Sequence, residues 1–155
     1  MASTVRFDPA SRVALGRRVT QAALREFALT LSKRVTRDRA FDCLITGDEE
    51  LRRLNRQFRR KNLATDVLSF PQDHSLPSPD PHEPLGELAI SADRALEQAR
   101  EFGHPLGDEI RILMLHGVLH LMGMDHETDT GVMSAAEVRW RKVLGLPSGL
   151  IERSR

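Results

Sequence analysis

The 155-residue chain contains one cysteine, one tryptophan and no tyrosine, and its formal net charge is only +1. A single cysteine excludes an internal disulfide, so the composition is compatible with a reducing compartment. Because acidic and basic residues nearly balance, no overall field attracts the protein to nucleic acid, and any basic binding site must be local. Aromatic residues make up 5% of the chain, which leaves few side chains on which nucleic-acid bases could stack.

Long apolar runs are also lacking in the sequence. No stretch approaches the roughly 18–20 uninterrupted apolar residues that a membrane-spanning helix requires. The N-terminal sequence MASTVRFDPASR lacks the apolar core of a signal peptide. We therefore expect a cytoplasmic protein without a membrane partner. The hydrophobic content of 40% is ordinary for a globular protein, and the length predicts one domain spanning residues 1–155, with a proline-rich loop at 71–84.

The distribution of apolar residues predicts an α+β fold in which a small mixed sheet of about four strands packs with about five helices. Strands are predicted at residues 3–7, 40–46, 65–70 and 86–90. Helices are predicted at 9–31 after a cap at Asp8, after caps at Asp48 and Ser91, at 107–122 and at about 130–144. The helix at 107–122 is apolar almost all round, so it should be central. Cys43 lies in an apolar strand, where a buried structural thiol is favoured over a reactive one.

The stretch HGVLHLMGMDH, residues 116–126, contains three histidines. His116 and His120 are four residues apart, which places both imidazoles on one face of a helix, close enough to bind the same metal ion. Gly123 suits the left-handed turn just beyond a helix end, and such a turn can direct His126 back toward the same point. Three nitrogen ligands with a fourth position left to water are typical of a catalytic zinc site.

The alternative for these residues is a pair of hydrogen-bonded core histidines and a surface His126. The metal interpretation is favoured because imidazoles within such an apolar helix need polar partners. The spacing also equals the metzincin peptidase pattern, except that Gly117 replaces the glutamate that serves those enzymes as general base. Since a glycine cannot accept a proton, the sequence predicts the ligands of a metallopeptidase without its base.

A second unusual stretch, LRRLNRQFRRKN at 51–62, carries six cations on a predicted helix. They are Arg52, Arg53, Arg56, Arg59, Arg60 and Lys61. With Leu51, Leu54 and Phe58 facing inward, several of these cations share the outer face. A solvated helix face is one explanation, but clustered arginines can equally bind phosphates. Because aromatic residues are scarce, contacts to a nucleic-acid backbone are favoured over base readout.

Three segments closely resemble the YbeY family of metal-dependent bacterial endoribonucleases. These segments are LNRQFRRKNLATDVLSFP, LGELAIS, and HGVLHLMGMDH followed by Met133 and Glu137, and they appear in the expected order over roughly residues 45–145. The resemblance implies a single endoribonuclease domain that cuts single-stranded RNA. It also implies a role in maturing the 3′ end of small-subunit ribosomal RNA and in ribosome quality control. The implied partners are RNA, ribosomal RNA above all, and the ribosome or its small subunit.

For the site, the resemblance implies one zinc ion bound by His116, His120 and His126, with Arg59 as the functional arginine near it. We hypothesise metal-assisted phosphodiester cleavage with Arg59 and His116 as catalytic residues, in which Arg59 stabilises charge that develops on the phosphate. The candidate substrate-binding residues are Arg56, Arg59, Arg60 and Lys61.

Several assignments stay open at the level of sequence. Asp125 could orient a ligand or move protons, or it could form a turn. Asp66 and Ser69 lie on the strand expected beside the site and have equal reason to be structural. His74, His82 and His104 lie outside the motif, and exposed loops are their expected location. The alternative functions are a metalloprotease with an unconventional base, and a ribosome-assembly factor whose metal is structural.

Overall fold

A computed structural model of the protein describes residues 2–60, 65–72 and 83–153, and four strands within these residues form one mixed sheet. The strands are β1 (Thr4–Phe7), β2 (Phe41–Thr46), β3 (Val67–Pro71) and β4 (Gly86–Ser91). Their order across the sheet is β1-β2-β4-β3, in which β1, β2 and β4 are parallel and β3 is antiparallel to β4. Each strand begins and ends within about two residues of its predicted bounds, so the predicted mixed sheet is confirmed.

Seven α-helices accompany the sheet in the described residues. They are α1 (Arg12–Leu15), α2 (Gln21–Arg34), α3 (Asp48–Arg59), α4 (Ala92–Phe102), α5 (Leu106–Leu121), α6 (Val132–Val143) and α7 (Leu150–Arg153). The fold is α+β as predicted. The helices outnumber the expected five because the first predicted helix is divided and because α7 follows the last one. Within the part of the chain that the structure describes, no helix is both long enough and apolar enough to cross a membrane.

The helix predicted at 9–31 is interrupted at Gly16. The carboxylate of Asp8 does cap a helical start, since it accepts a hydrogen bond from the Ala10 N–H at 3.1 Å. At Gly16 the backbone takes a φ of +55°, which ends α1 because the left-handed region is incompatible with a continuing helix. A second start follows at Thr20, whose hydroxyl accepts from the Ala23 N–H. The prediction of one long helix was therefore wrong, and Val13 is 94% exposed rather than inward-facing.

The central helix of the fold is α5, as its apolar sequence predicted. Almost every side chain of α5 is buried, and the helix packs on β3 and β4 on one side and on α2, α4 and α6 on others. The sheet face beneath it includes Phe41, Cys43 and Ile45. Burial raises the pKa of the Cys43 thiol to about 12. A thiol that stays protonated is a poor nucleophile, which confirms the structural role expected for this cysteine.

The basic helix α3 covers the opposite face of the sheet. Side chains alternate between the faces of a strand, so Leu68 and Ala89 turn away from α5 and form a second small core with Leu51. Phe58, predicted to face inward, is 59% exposed and only touches Phe70 edge-on. The sheet thus separates α3 from α5, and the edge strand β3 passes between the basic helix and the histidine helix.

Candidate metal centre

Three histidines converge at the C-terminal end of α5. The ring centroid of His116 lies 4.8 Å from that of His120 and 5.6 Å from that of His126. One nitrogen from each ring can be chosen so that all three lie within 4.8 Å of one another, a grouping able to hold a metal ion. The predicted convergence of these side chains is therefore found in the folded chain.

The turn after α5 brings His126 back to the other two histidines. Gly123 has a φ of +94°, and its N–H donates to the carbonyl of His120 at 2.9 Å. The N–H of Met124 donates to the carbonyl of Leu119 in the same turn. A positive φ is easily adopted by glycine but rarely by other residues, so the left-handed turn predicted for this position is present and explains the spacing of the third histidine.

Gly117, which follows the first histidine, faces the sheet rather than the histidine cluster. A Cβ atom built at this position would lie 2.7 Å from Cδ2 of Leu88 and 3.3 Å from Cγ2 of Val67. The hydroxyl of Ser69 donates to the Gly117 carbonyl at 3.2 Å, which ties β3 to α5 at the same point. The glycine thus permits close packing of helix on sheet, and Ser69 has a structural contact beside the site.

His116 is oriented by a buried carboxylate from α6. Its Nδ1 lies 2.7 Å from Oε2 of Glu137, and both side chains are almost completely buried. An ionised carboxylate can accept a proton from Nδ1, an arrangement that leaves Nε2 as the ring atom available to a metal. Sequence reasoning did not assign this role to Glu137. A signal was present, because Glu137 lies four residues after the buried Met133, and a carboxylate on an inward helix face needs a partner.

The electrostatics at His120 favour a neutral imidazole. Burial lowers the pKa of His120, and the neighbouring His116 lowers it further. Neutral imidazole is the form that binds metals. Three imidazole nitrogens, one of them backed by a carboxylate, match the donor set of a zinc site that keeps a fourth position open. The residues present therefore fit a zinc ion.

A cavity of about 610 Å³ joins the histidines to the basic helix. The three histidines and Arg59 all contribute to its lining. Arg59 is the last residue of α3, and its Nη2 donates to the carbonyl of Ser69 on β3 at 3.2 Å. This contact carries the guanidinium past the sheet edge toward the histidines, while its charge is not paired with a carboxylate in the described residues.

Two other predicted substrate-binding residues, Arg56 and Arg60, are not among the described residues that line this cavity. Arg56 lines a separate depression that also contains Glu49 and Glu50. Arg60 is exposed just beyond α3, with a φ of +57°, and it is not among the described residues that line the histidine cavity. Lys61 lies outside the described residues. The structure thus brings Arg59 to the histidines and leaves Arg56 facing acidic neighbours.

Two acidic residues with open assignments also line the cavity. Asp125 accepts a hydrogen bond from the Glu127 N–H at 3.1 Å, a contact typical of a turn-forming aspartate. Asp66 accepts from the Val67 N–H at 2.8 Å and from the Gln98 amide at 3.1 Å. Both carboxylates therefore have structural contacts while also facing the cavity.

His104 is not in an exposed loop position, contrary to the prediction. Its side chain is 9% exposed, and Nε2 lies 2.6 Å from Oε1 of Glu109, which is fully buried. The guanidinium of Arg153 completes this cluster through two hydrogen bonds to Glu109, at 2.6 and 2.9 Å. The prediction failed because it did not pair His104 with Glu109, five residues away, or foresee that Arg153 would reach the same carboxylate from 44 residues along the chain. His74, His82 and most of the 71–84 loop lie outside the described residues.

Comparisons with known proteins agree on one family. The family model described as Endoribonuclease YbeY matches residues 10–144. The Endoribonuclease YbeY of Solibacter usitatus is 61% identical over 131 residues, which cover 84% of this chain and 84% of that protein. The Endoribonuclease YbeY of Nautilia profundicola is 52% identical over 117 residues, which cover 76% of this chain and 81% of that protein.

A solved structure shows the same fold. The solution structure of TM1509 from Thermotoga maritima superimposes with a TM-score of 0.57 at 24% sequence identity, covering 92% of this chain and 89% of that chain. At this level of identity the likeness concerns the fold. The α+β arrangement of the described residues is thus one that a solved protein also adopts.

Proposed function

The chain belongs to the endoribonuclease YbeY family, and on this basis we propose that it is a zinc-dependent endoribonuclease that cleaves single-stranded RNA. The observation that carries the proposal is the shared cavity in which three histidine rings and the Arg59 guanidinium meet. A metal ion and an arginine that pairs with no carboxylate among the described residues suit a phosphodiester, because both attract its negative charge.

In the proposed site, His116, His120 and His126 hold the zinc ion. Glu137 supports this assignment because its carboxylate is buried and no lysine or arginine of the described residues pairs with it. A buried carboxylate is costly without a compensating cation, and a metal on His116 would supply one. When bound, zinc supplies Lewis-acid catalysis to a phosphodiester.

Arg59 and His116 are the proposed catalytic residues. The guanidinium of Arg59 can bind two phosphate oxygens at once, and it stabilises the charge that accumulates on them as the bond breaks. We propose that other cations contact phosphates farther along the RNA, because they belong to the same basic stretch, 51–62, as Arg59. These cations are Arg56, Arg60 and Lys61. Contacts of this kind make binding dependent on salt concentration.

Peptide hydrolysis is disfavoured by the surroundings of Gly117. The peptidase pattern needs a glutamate at this position, and here a Cβ atom alone would collide with Leu88. The ligand set that resembles a peptidase is therefore combined with a position that has no space for the peptidase base.

The proposed setting is ribosomal RNA processing in the cytoplasm. Relatives of high identity carry the name Endoribonuclease YbeY, and ribosomal RNA is the substrate class we propose for this chain. We propose the ribosome or its small subunit as the partner, with roles in maturing small-subunit RNA and in ribosome quality control. Residues 1–155 are proposed to act as a single domain.

The deciding experiment combines metal analysis of the purified protein with cleavage assays on single-stranded RNA and on an unstructured peptide, each with and without chelator. We expect one zinc ion per chain and RNA cleavage that the chelator stops. Cleavage of the peptide but never of RNA would favour a metalloprotease. RNA cleavage by protein verified as zinc-free would contradict the role of the metal. Folded His116→Ala protein that cleaves normally would leave the metal a structural role, as in an assembly factor.

A further inference from the structure

We infer that Glu137 is a positioning residue of the metal centre, and that the segment 149–153, hereafter the C-terminal clamp, holds its carboxylate against His116. The clamp comprises Gly149 and α7, and it lies beyond the residues 10–144 that the family model matches. The inference rests on the proposed metal site, but it does not depend on which substrate is cleaved.

The two oxygens of Glu137 have different partners. Oε2 lies 2.7 Å from Nδ1 of His116, and Oε1 accepts the Ile151 N–H at 2.9 Å. A backbone N–H can only donate, so Oε1 accepts, and in the ionised carboxylate of our inference Oε2 is an acceptor as well. His116 must then carry its proton on Nδ1, which leaves the lone pair of Nε2 for a metal.

Gly149 allows the clamp to approach this carboxylate closely. A Cβ atom at position 149 would lie 2.2 Å from Oε1 and 2.8 Å from Cδ of Glu137. Gly149 is not among the glycines with positive φ, so the requirement is for space and not for an unusual backbone conformation. The chain thus places its smallest residue where backbone and carboxylate touch.

The clamp is anchored to the rest of the fold through Glu152 and Arg153, the two residues that follow Ile151. Oε1 of Glu152 accepts the Gly149 N–H at 3.2 Å and the Arg141 Nε–H at 2.5 Å. The hydrogen bond with Arg141 lowers the pKa of Glu152. Arg153 is bonded twice to the buried Glu109. Because these anchors do not involve the histidines, the clamp can restrain Glu137 whether or not a metal is bound.

The first test is Glu137→Gln. An amide offers one acceptor and one donor, so it cannot accept from both Ile151 and His116. If its oxygen serves Ile151, its NH₂ group donates to Nδ1 and the ring proton moves to Nε2, where it blocks metal binding. We expect the zinc dissociation constant to rise by about 10–100-fold, the usual cost of losing an outer-shell partner.

The position of the ring proton on His116 distinguishes a positioning role of Glu137 from a purely structural one. If Glu137 only stabilised the fold, replacing it would not move this proton. Nitrogen-15 NMR of the metal-free protein at alkaline pH should show Nδ1–H in the wild type and Nε2–H in Glu137→Gln. The matched control is Glu101→Gln, which removes the same charge from an exposed position on α4 and should leave both the zinc affinity and the ring proton unchanged.

The second test is Gly149→Ala, which leaves the histidines and Glu137 intact. The added methyl group pushes against Oε1, so we expect zinc affinity to fall by about ten-fold, the lower end of that range. Ser148→Ala is the matched control, because Ser148 is exposed in the same turn. If Glu137→Gln does not fold, the comparison of Gly149→Ala with Ser148→Ala decides.

The inference is overturned if the wild-type ring proton is on Nε2. It is also overturned if folded Glu137→Gln and Gly149→Ala bind zinc within about two-fold of the wild type, well below the usual effect. If the wild type binds no zinc, the proposed metal site fails, and the NMR comparison alone then judges the role of Glu137. Suppose that the Glu137→Gln and Gly149→Ala variants cleave RNA normally, bind zinc as tightly as the wild type and keep the wild-type ring proton. This result would reject the inference about Glu137 and leave the proposed function intact.

Discussion

Glu109 on α5 and Glu137 on α6 are both buried carboxylates, and each is bonded to a histidine and to α7. The negative charge of Glu109 is compensated within the protein, because the Arg153 guanidinium donates to both carboxylate oxygens. Around Glu137 one oxygen contacts His116, which belongs to a cluster of three histidines, and the other accepts a hydrogen bond from a backbone N–H. We refer to the first as the closed pair and to the second as the open pair.

The difference separates a polar cluster whose charges are paired within the described residues from one whose histidines could hold a metal ion. A buried carboxylate with a bidentate arginine is satisfied, so the closed pair fastens the C-terminal helix and needs nothing more. The open pair presents a free ring nitrogen beside two others and has no arginine or lysine partner among the described residues. A positive ion is the group that would complete it.

The largest expected effect comes from removing a ligand of the open pair's cluster. Alanine at His116, His120 or His126 should abolish zinc binding and reduce RNA cleavage to background, because two imidazoles do not complete a catalytic zinc site. Metal analysis and cleavage assays at equal folded concentration measure both effects. His104→Gln is the control from the closed pair, and it should keep full zinc content. If His104→Gln lost as much zinc as the alanine variants, the closed pair and the open pair would not differ in their relation to the metal.

The next largest effect should come from breaking the closed pair. Arg153→Met removes the cation and leaves Glu109 buried without it, so the metal-free protein should lose about 3–5 kcal/mol of unfolding free energy. Urea denaturation measures this loss. The exposed Arg100→Met should change stability by no more than about 0.5 kcal/mol. A loss below about 1 kcal/mol for Arg153→Met would mean that Glu109 is satisfied without its arginine.

A third test concerns Arg59, which, unlike Arg153, pairs with no carboxylate among the described residues. Arg59→Glu should lower RNA cleavage by about 100-fold, the usual cost of losing one group that stabilises developing charge. Zinc content should stay at the wild-type value, since the hydrogen bond that Arg59 makes among the described residues is to the Ser69 carbonyl and not to a histidine. Arg100→Glu, an equal charge change on an exposed face of α4, should leave cleavage unaltered. Zinc loss in Arg59→Glu would place this residue in the metal site itself.

The smallest expected effect is the pH dependence of the metal-free open cluster. The pKa of His120 is lowered from its usual 6.5, so on acidification the unfolded chain takes up a proton that the folded chain does not. Stability should be level above about pH 7 and should fall below about pH 6.5, by at most about 1.4 kcal/mol per pH unit for this one group. Urea denaturation between about pH 8 and pH 5.5 measures the slope. His120→Asn should flatten it, and an unchanged slope in that variant would assign the effect elsewhere.

Sequence reasoning succeeded where the decisive contacts are local. The spacing of His116, His120 and Gly123 fixes positions within three turns of one helix, so their convergence follows from helix geometry. The strands were found because β-branched and apolar residues are concentrated in them. The helix break at Gly16 was missed because a single glycine in an apolar pattern does not by itself end a helix.

The features that escaped prediction depend on residues far apart in the chain. Glu137 meets His116 across 21 residues, and Arg153 meets Glu109 across 44. No periodicity links such pairs, because they meet only through the packing of α6 and α7 against α5. The basic stretch illustrates the same limit, since its composition could not show that Arg59 turns toward the histidines while Arg56 faces Glu49 and Glu50.

The close packing of Gly117 against Leu88 also limits which side chains position 117 can hold. In the sequence alone, replacing Gly117 with glutamate would complete the peptidase pattern. In the folded chain a Cβ atom at this position would lie 2.7 Å from Cδ2 of the buried Leu88, so the packing of α5 on the sheet would have to shift before a glutamate could fit. Position 117 is therefore constrained by the packing of helix on sheet, and the peptidase glutamate cannot be gained there by that change alone.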